Sequence, residues 1–484
     1  MSTSPQSSIA KRVLTGSAWI LGTQGLILVL VFLAQRIILS TLTKEENGTL
    51  AFERRMTDLI VGIIVDFGMN GIIIRRVVQH PDRAPQIISS AIAFRLVMWI
   101  VATTASAGYA LAAGYAVVDV VIWSLYLLIA ARTTMLRYAA EAPYRTSSRF
   151  HVISILGVVD ALLFTALIYV FRAQLTPFTV IAAYALSAIP GFTILVLLDR
   201  GRFIRPSFVK WVEIKTLVRE SVPVISAVAL VGLHIALDTF LLEWYGTKRD
   251  LGVLSAVYTS IGPFLVILPQ AVSLAVMPEI ARLGITEVAR RRDIVLTIVR
   301  LLVVFTVVIV CVAGPCIPVF IQMVSNGRYS AEYIQFFWFL WTAPFVAIVV
   351  FSQELAITMG QQRYNMWLAV GLLTFSVVFG FALIPILNSY GAVLARLATV
   401  TAGAGICFVV LRRIVGEHLD LLLVVRICVV IIMGMVATTW LSSHVQAWVA
   451  IVGSVTAALV ASVAMGLLVR SDIRFVNGLL RRSL

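Results

Sequence analysis

The chain has 484 residues, of which 60% are hydrophobic and 13% charged, and its mean hydropathy is +1.00. This composition excludes a soluble globular protein, because too few polar residues remain to cover a water-facing surface. A net charge of +15 would suggest nucleic acid as the partner of a soluble protein, but here the cations lie in short connectors between apolar runs. We therefore expect anionic membrane lipids as their partner, and no nucleic acid.

Apolar runs of about 20 residues, long enough to cross the hydrocarbon core of a bilayer, recur along the whole chain. They predict an all-α integral membrane protein with about 14 transmembrane helices. The predicted spans are residues 13–40, 50–72, 86–111, 116–138, 151–171, 176–198, 222–244, 252–280, 293–320, 331–358, 364–386, 391–411, 421–441 and 447–469.

Positive charge distinguishes the two sides of the predicted membrane protein. The loops on the side of the N-terminus hold 25 Lys and Arg residues, against 5 in the alternate loops. Because cationic loops stay in the cytoplasm, both termini are predicted to be cytoplasmic. The longest interior connector, residues 199–221, carries six of these cations beside Trp211 and is predicted to lie on the inner leaflet as a basic amphipathic segment. A plain solvated linker is the alternative.

A short repeat divides the chain into two predicted lobes. TKEENGTLAF follows the first span and TKRDLGVLSA follows the seventh; at an offset of 204 residues, the identical pairs are Thr43 with Thr247, Lys44 with Lys248, Gly48 with Gly252 and Leu50 with Leu254. Six spans separate the segments, and this even number makes the repeat parallel. We predict an N-terminal lobe at 1–200, a basic linker at 201–221, a C-terminal lobe at 222–411 and two additional helices within 412–484.

The second helix of each predicted lobe contains an interruption. One is the sequence DFGMNG at residues 66–71, and the other is formed by Gly262, Pro263 and Pro269. Glycine and proline at membrane depth release backbone groups that a cavity, water or a neighbouring helix must satisfy. Matched interruptions in two halves indicate a central binding site, although packing kinks without a functional role are an alternative.

Several segments resemble Wzx-type polysaccharide flippases of the MOP superfamily, which also contains lipid II flippases and MATE-type exporters. In the first half these are GSAWILGTQ (16–24), LTKEENGTLAF (42–52) and DFGMNGIIIRRV (66–77). In the second half they are LLEWYGTKRDLGVLSAVYTS (241–260), VMPEIARL (276–283), NGRYSAEY (326–333) and NSYGAVLARL (388–397). The resemblance covers nearly the whole chain.

This resemblance implies a MATE-like fold, in which two six-helix lobes flank a central cavity that opens alternately to each side. It implies a bacterial cytoplasmic membrane protein that moves a polyprenyl-pyrophosphate-linked oligosaccharide from the inner to the outer leaflet by alternating access, for surface polysaccharide biosynthesis. A polysaccharide polymerase and glycosyltransferases are then possible partners.

Eight arginines lie within the predicted spans or at their edges. They are Arg36, Arg54, Arg55, Arg95, Arg132, Arg300, Arg396 and Arg426. A lipid-facing charge at mid-depth costs on the order of 3 kcal/mol or more, so such residues usually face a cavity or a partner. Guanidinium groups bind phosphate oxygens two at a time, and a pyrophosphate would suit them.

The anion-binding residues predicted first are Arg55, Arg95 and Arg300, followed by Arg54 and Arg132. Arg54 stands four residues before Asp58 and can instead form an intrahelical pair. Arg132 lies near a span end, from which a long side chain can reach the interface.

Three embedded groups are candidates for coupling transport to H+ or Na+. His234 and Asp238 are one helical turn apart and share a helix face, where they can relay a proton. Asp58 is the third candidate. For His234 and Asp238, a structural hydrogen bond is the alternative to a proton relay. No cofactor or metal site is predicted, because the four cysteines all fall within apolar runs and not in paired loop spacings.

Two functions other than a flippase fit the residues of the spans and loops less well. A MATE-like multidrug or ion antiporter would favour acids for its cationic substrates, whereas arginines outnumber acids in these spans. A membrane glycosyltransferase or polymer ligase would need acidic residues or a sizeable surface loop, but the outer loops are short and hold no DxD, Walker or HExxH pattern. The sequence therefore favours a transporter and not an enzyme.

Overall fold

A computed structural model describes residues 5–112, 114, 116–130, 136–147, 149–283, 288–415 and 421–468. Throughout these ranges the secondary structure is helical and contains no β-strand. The α-helices, in chain order, are α1 Pro5–Thr41, α2 Lys44–Ile60, α3 Asn70–Gln79, α4 Ala84–Ala112, α5 Val117–Ala130, α6 Arg137–Thr146, α7 Phe150–Val170, α8 Pro177–Asp199, α9 Trp211–Tyr245, α10 Lys248–Leu283, α11 Val288–Ala313, α12 Ile317–Ser325, α13 Tyr333–Leu340, α14 Ala343–Thr358, α15 Gln362–Val415, α16 Leu421–His444 and α17 Ala447–Ala464.

The chain is a multi-pass integral membrane protein. Among the described residues, 11 helical segments are long and apolar enough to cross a membrane, and the bent pair Ser330–Leu340 and Ala343–Thr358 brings the number to 12. One segment, Arg363–Arg413, has 51 residues, which is about 75 Å of straight helix and more than twice the hydrocarbon thickness. The predicted fourth span, 116–138, lies partly outside the described residues.

The long segment is kinked at Asn388. Its φ of 49° and ψ of −127° lie outside the helical region, and two helices meet there within α15. Asparagine tolerates a positive φ better than most residues, which suits it to this position. The kink falls between the predicted spans 364–386 and 391–411.

The described chain forms two compact units, unit 1 from Met1 to Thr239 and unit 2 from Phe240 to Leu484. The division falls inside α9, so the first part of this helix packs with unit 1. The predicted division at the connector 201–221 lies earlier in the chain and remains a prediction. In unit 1, α1 packs along α7, α8 contacts both α5 and α7, and α3 contacts α4 and α6. In unit 2, α14 contacts α10, α11 and α15, and α11 also contacts α16 and α17.

Both copies of the sequence repeat form the same helix cap. At the start of α2, the Glu46 N–H donates to Thr43 Oγ1 at 3.2 Å, and the Thr43 N–H donates to Glu46 Oε2 at 2.8 Å. At the start of α10, Thr247 and Asp250 exchange the equivalent bonds at 3.2 and 3.1 Å. Such a cap satisfies backbone donors that a helix start leaves exposed. The four residues obey the same 204-residue offset, so the repeat has a physical role at two equivalent helix starts.

Only one of the two predicted interruptions is present. Between α2 and α3 the chain passes through a π-helical turn, Val61–Val65, and then leaves the helix until Asn70, which confirms the first. The interruption expected at Gly262, Pro263 and Pro269 is wrong, because α10 is helical from Lys248 to Leu283. Each proline there removes one backbone N–H without ending the helix, which neighbouring groups in a membrane protein can accommodate.

Candidate functional site

The break between α2 and α3 lies in the interior of unit 1. The Asp66 N–H donates to the Val61 carbonyl at 2.8 Å, and this π-type bond closes the end of α2. Phe67 and Gly68 then adopt positive φ angles of 53° and 68°. A Cβ atom on Gly68 would lie 3.1 Å from the backbone nitrogen of Ile225 on α9, so this position needs glycine for its conformation and for its close packing.

Arg95 on α4 is directed into this break. Its side chain is 0% exposed, and Nη2 donates to Asp66 Oδ1 at 2.6 Å and to Asn70 Oδ1 at 2.9 Å. A buried charge is tolerated when it is paired and hydrogen-bonded, and here Arg95 joins Asp66, the residue that follows the π turn, to Asn70, the first residue of α3. The Arg95 guanidinium therefore bridges the two sides of the break and has an internal anion as one of its partners.

Arg54 and Arg55 lie on α2, toward its predicted outer end. The Arg54 guanidinium stands 5.9 Å from the ring of Tyr184 on α8 and within hydrogen-bonding reach of Tyr126 on α5. The charges of both arginines act on Asp58, which is exposed. Arg55 itself forms no ion pair within the described part of the chain. Of the two, Arg55 has the guanidinium that is less committed to neighbouring side chains.

A second buried ionic network involves residues that were counted as loop cations. Arg137 at the start of α6 donates from Nε to Glu141 at 2.7 Å and from Nη1 to Asp160 on α7, and Glu141 also accepts from Arg145 at 2.7 Å. The side chains of Arg137 and Glu141 are almost fully buried. The i, i+4 spacing of Arg137, Glu141 and Arg145 was the signal available in the sequence. Asp160 thereby links α7 to Arg137 of α6.

At the end of α3, two arginines bind the first turns of α9. Arg76 Nη2 donates to Glu213 at 2.8 Å and its Nη1 to Glu220 at 2.9 Å, while Arg75 donates to Glu220 at 2.5 Å. Arg76 is buried within α3. Together with the contact at Gly68, this network holds the first part of α9 alongside α3 and the break.

The remaining predicted residues fall at separate places. Arg300 on α11 of unit 2 is partly buried and donates to Thr297 Oγ1 at 3.1 Å. His234 and Asp238 are both buried on the same face of α9, and Asp238 Oδ1 accepts the Thr239 N–H at 2.9 Å. Arg132 lies outside the described residues.

The acids and cysteines of the described ranges form no metal centre. No group of three or more His, Cys, Asp or Glu residues is placed there to hold a metal ion. Cys311 and Cys407 are buried, whereas Cys428 is exposed, and all four cysteines are free. Cys311 accepts a hydrogen bond from Thr438 at 3.4 Å, which ties α11 to α16 inside unit 2.

Solved structures identify the fold. No protein-family model and no curated protein sequence matches the chain. A structure of the lipid II flippase MurJ in an inward closed conformation is similar at a TM-score of 0.70 and 10% identity, over 93% of this chain and 98% of that one.

Two further structures are transporters. The MATE transporter VcmN of Vibrio cholerae in its bent form is similar at a TM-score of 0.53 and 14% identity, over 82% of this chain and 98% of that one. A MOP superfamily transporter from Pyrococcus furiosus is similar at a TM-score of 0.59 and 13% identity, over 83% of this chain and 94% of that one. The chain therefore has the fold seen in MurJ and in MATE transporters.

Proposed function

We propose that this protein moves a polyprenyl-pyrophosphate-linked oligosaccharide from the inner to the outer leaflet of a bacterial cytoplasmic membrane, by alternating access. The observation that carries the proposal is the similarity to a lipid II flippase over 93% of the chain at a TM-score of 0.70. The substrate of that flippase is a lipid-linked precursor, and the surplus of embedded arginines in this chain suits the same class of anionic substrate.

Within this proposal, Arg55 and Arg300 bind the pyrophosphate. Arg55 forms no ion pair among the described residues. Arg300 donates a hydrogen bond to the neutral hydroxyl of Thr297 at 3.1 Å. Arg54, beside Tyr126 and Tyr184, contributes charge from a more fixed position, and Arg132 remains a proposed fourth member. Arg95, which was proposed with them, is assigned here to the support of α2 and α3.

Arg55→Ala and Arg300→Ala are expected to lower transport while the protein remains folded. Each loses charge-assisted hydrogen bonds worth about 1.5–3 kcal/mol, which corresponds to roughly 10- to 100-fold weaker binding. The measurement is accumulation of the lipid-linked intermediate in a deletion strain complemented by each variant, normalised to protein in the membrane. Arg363→Ala, at an exposed position, is the matched control. Wild-type export by the double variant Arg55→Ala/Arg300→Ala would remove both residues from the proposed site.

A MATE-like antiporter is the second candidate, because MATE transporters share this fold. The two functions differ in the charge of the cargo, so the same deletion strain distinguishes them. Under the flippase proposal the strain accumulates lipid-linked sugar and keeps its resistance to cationic dyes. A strain that accumulates no lipid-linked sugar and loses its resistance to cationic dyes would establish drug efflux and would overturn the flippase proposal. An enzymatic role as glycosyltransferase or ligase has no support from the matched structures, which are described as transporters.

We further propose that His234 and Asp238 couple transport to a proton gradient, with Asp58 as the alternative site for H+ or Na+. The first two are buried one turn apart on α9, where a proton can pass between an imidazole and a carboxylate. Asp238→Asn is expected to abolish the stimulation of transport in liposomes by an imposed pH gradient, while basal exchange continues. Asp82→Asn, at an exposed carboxylate, is the control. If a pH gradient stimulates transport by Asp238→Asn as much as by wild type, the His234–Asp238 relay is excluded. Transport by Asp58→Asn under H+ and Na+ gradients would then test Asp58 as the coupling site.

A further inference from the structure

The connector between α8 and α9 separates its charges by sign. Its acids are bound by groups of unit 1: Asp199 accepts the Phe203 and Ile204 N–H groups at 3.0 and 2.9 Å, and Glu213 and Glu220 bind Arg76. Its six cations are all exposed, and none forms an ion pair among the described residues. These cations are Arg200, Arg202, Arg205, Lys210, Lys215 and Arg219. The segment therefore presents a surface of one sign.

The cations occupy defined positions because the backbone of the connector is bound to α4. Ser89 Oγ donates to the Phe203 carbonyl at 2.7 Å and accepts the Arg205 N–H at 3.2 Å. Ser90 Oγ accepts the Lys210 N–H at 2.9 Å. Phe203 and Ile204 also pack against the apolar core that α3, α4 and α6 share. This fixed geometry argues against the plain solvated linker considered from the sequence.

The first turns of α9 continue the same surface with helical periodicity. Glu213, Leu217 and Ser221 are buried on one face, at a spacing of four residues. The opposite face exposes Lys215, Arg219 and two large apolar side chains, Trp211 at 75% and Val212 at 73%. Apolar and aromatic side chains beside Lys and Arg are typical of segments that rest in the headgroup region of a bilayer.

We propose that this surface binds the headgroups of anionic phospholipids in the adjacent leaflet. The basic surface consists of the six cations named above together with Trp211 and Val212. Two membrane-spanning helices, α8 and α9, flank it in the chain, so its nearest dense anions are lipid phosphates. A soluble acidic protein or a nucleic acid would match the charge but would leave Trp211 and Val212 without an apolar environment. The proposal is independent of the identity of the transported substrate.

Quenching of Trp211 by brominated lipids tests this proposal. The full-length protein is reconstituted in phosphatidylcholine nanodiscs that contain brominated phosphatidylglycerol or brominated phosphatidylcholine at equal mole fraction. The fluorescence of Trp211 is obtained as the difference between wild type and Trp211→Phe. We expect quenching by the anionic lipid to be about twofold or more stronger, because the cations enrich that lipid locally. High salt is expected to reduce this preference.

The charge variants decide whether the basic surface causes the preference. Replacement of all six cations by Gln is expected to bring the quenching ratio to about one, and Lys215→Gln/Arg219→Gln to lower it partly without changing the contacts of the connector with α4. Arg363→Gln/Arg413→Gln, at exposed positions in unit 2, is the matched control and should leave the ratio unchanged. Trp448, exposed at the start of α17, provides a second control when read against Trp448→Phe. Equal quenching by both lipids in wild type, or a preference that survives the pair variant and the sixfold variant, would overturn the proposal.

Discussion

Arg95→Leu is expected to cause the largest loss of stability of any single substitution in unit 1. The substitution leaves the Asp66 carboxylate and the Asn70 amide in a protein interior without the guanidinium that bonds both, at 2.6 and 2.9 Å. Removal of one partner of a buried ion pair typically costs about 3–5 kcal/mol. The measurement is the midpoint of thermal unfolding of the purified protein in detergent, followed by fluorescence-detected size exclusion.

A double-mutant cycle separates the structural role of Arg95 from a role in substrate binding. Arg95→Leu/Asp66→Asn is expected to lose less free energy of unfolding than the two single variants lose together, because neither partner then remains as an isolated buried charge. Arg95→Lys keeps the charge but lacks the planar fork, so we expect an intermediate loss. A variant Arg95→Leu that unfolds at the wild-type temperature, yet fails to transport, would return Arg95 to the substrate-binding residues.

Gly68→Ala is expected to destabilise the break by roughly 2–5 kcal/mol, as the sum of two effects. The φ of 68° costs a residue with a Cβ atom roughly 1–2 kcal/mol. In addition, the new Cβ would lie 3.1 Å from both the Ile225 nitrogen and Val224 Cγ1, and such overpacking costs typically about 1–3 kcal/mol. Because the Ile225 contact is to backbone, α9 must shift to relieve it. Thermal unfolding again provides the measurement.

Gly71→Ala is the matched control for Gly68→Ala. Gly71 belongs to the helical α3, and a Cβ at this position meets nothing within 4 Å. Alanine in a helix is more stable than glycine by about 0.5–1 kcal/mol, so this variant is expected to unfold at or above the wild-type temperature. Equal losses in both variants would show that neither the left-handed backbone nor the contact with α9 determines the stability of the break.

Local patterns in the sequence predicted the features that depend on residues close together in the chain. Apolar runs predicted the spans, the motif DFGMNG predicted the break between α2 and α3, and the repeat marked two helix starts that carry equivalent caps. The same kind of pattern gave a wrong prediction at Gly262, Pro263 and Pro269. A transmembrane helix can continue through proline when its surroundings satisfy the released carbonyl groups. Residue type alone does not distinguish a break from a tolerated proline.

The pairing of charges was decided by tertiary structure. Arg95 was predicted as a substrate ligand, and the fold places Asp66, 29 residues away in the chain, at 2.6 Å from it. Arg76 was counted with the loop cations, and the fold places Glu213, 137 residues away, at 2.8 Å from it. Hydropathy and loop charge determine which segments cross a membrane, because each residue contributes largely independently to the free energy of transfer from water into the bilayer. Whether an embedded arginine is neutralised depends on a partner brought within about 3 Å by helix packing, and no local pattern contains that distance.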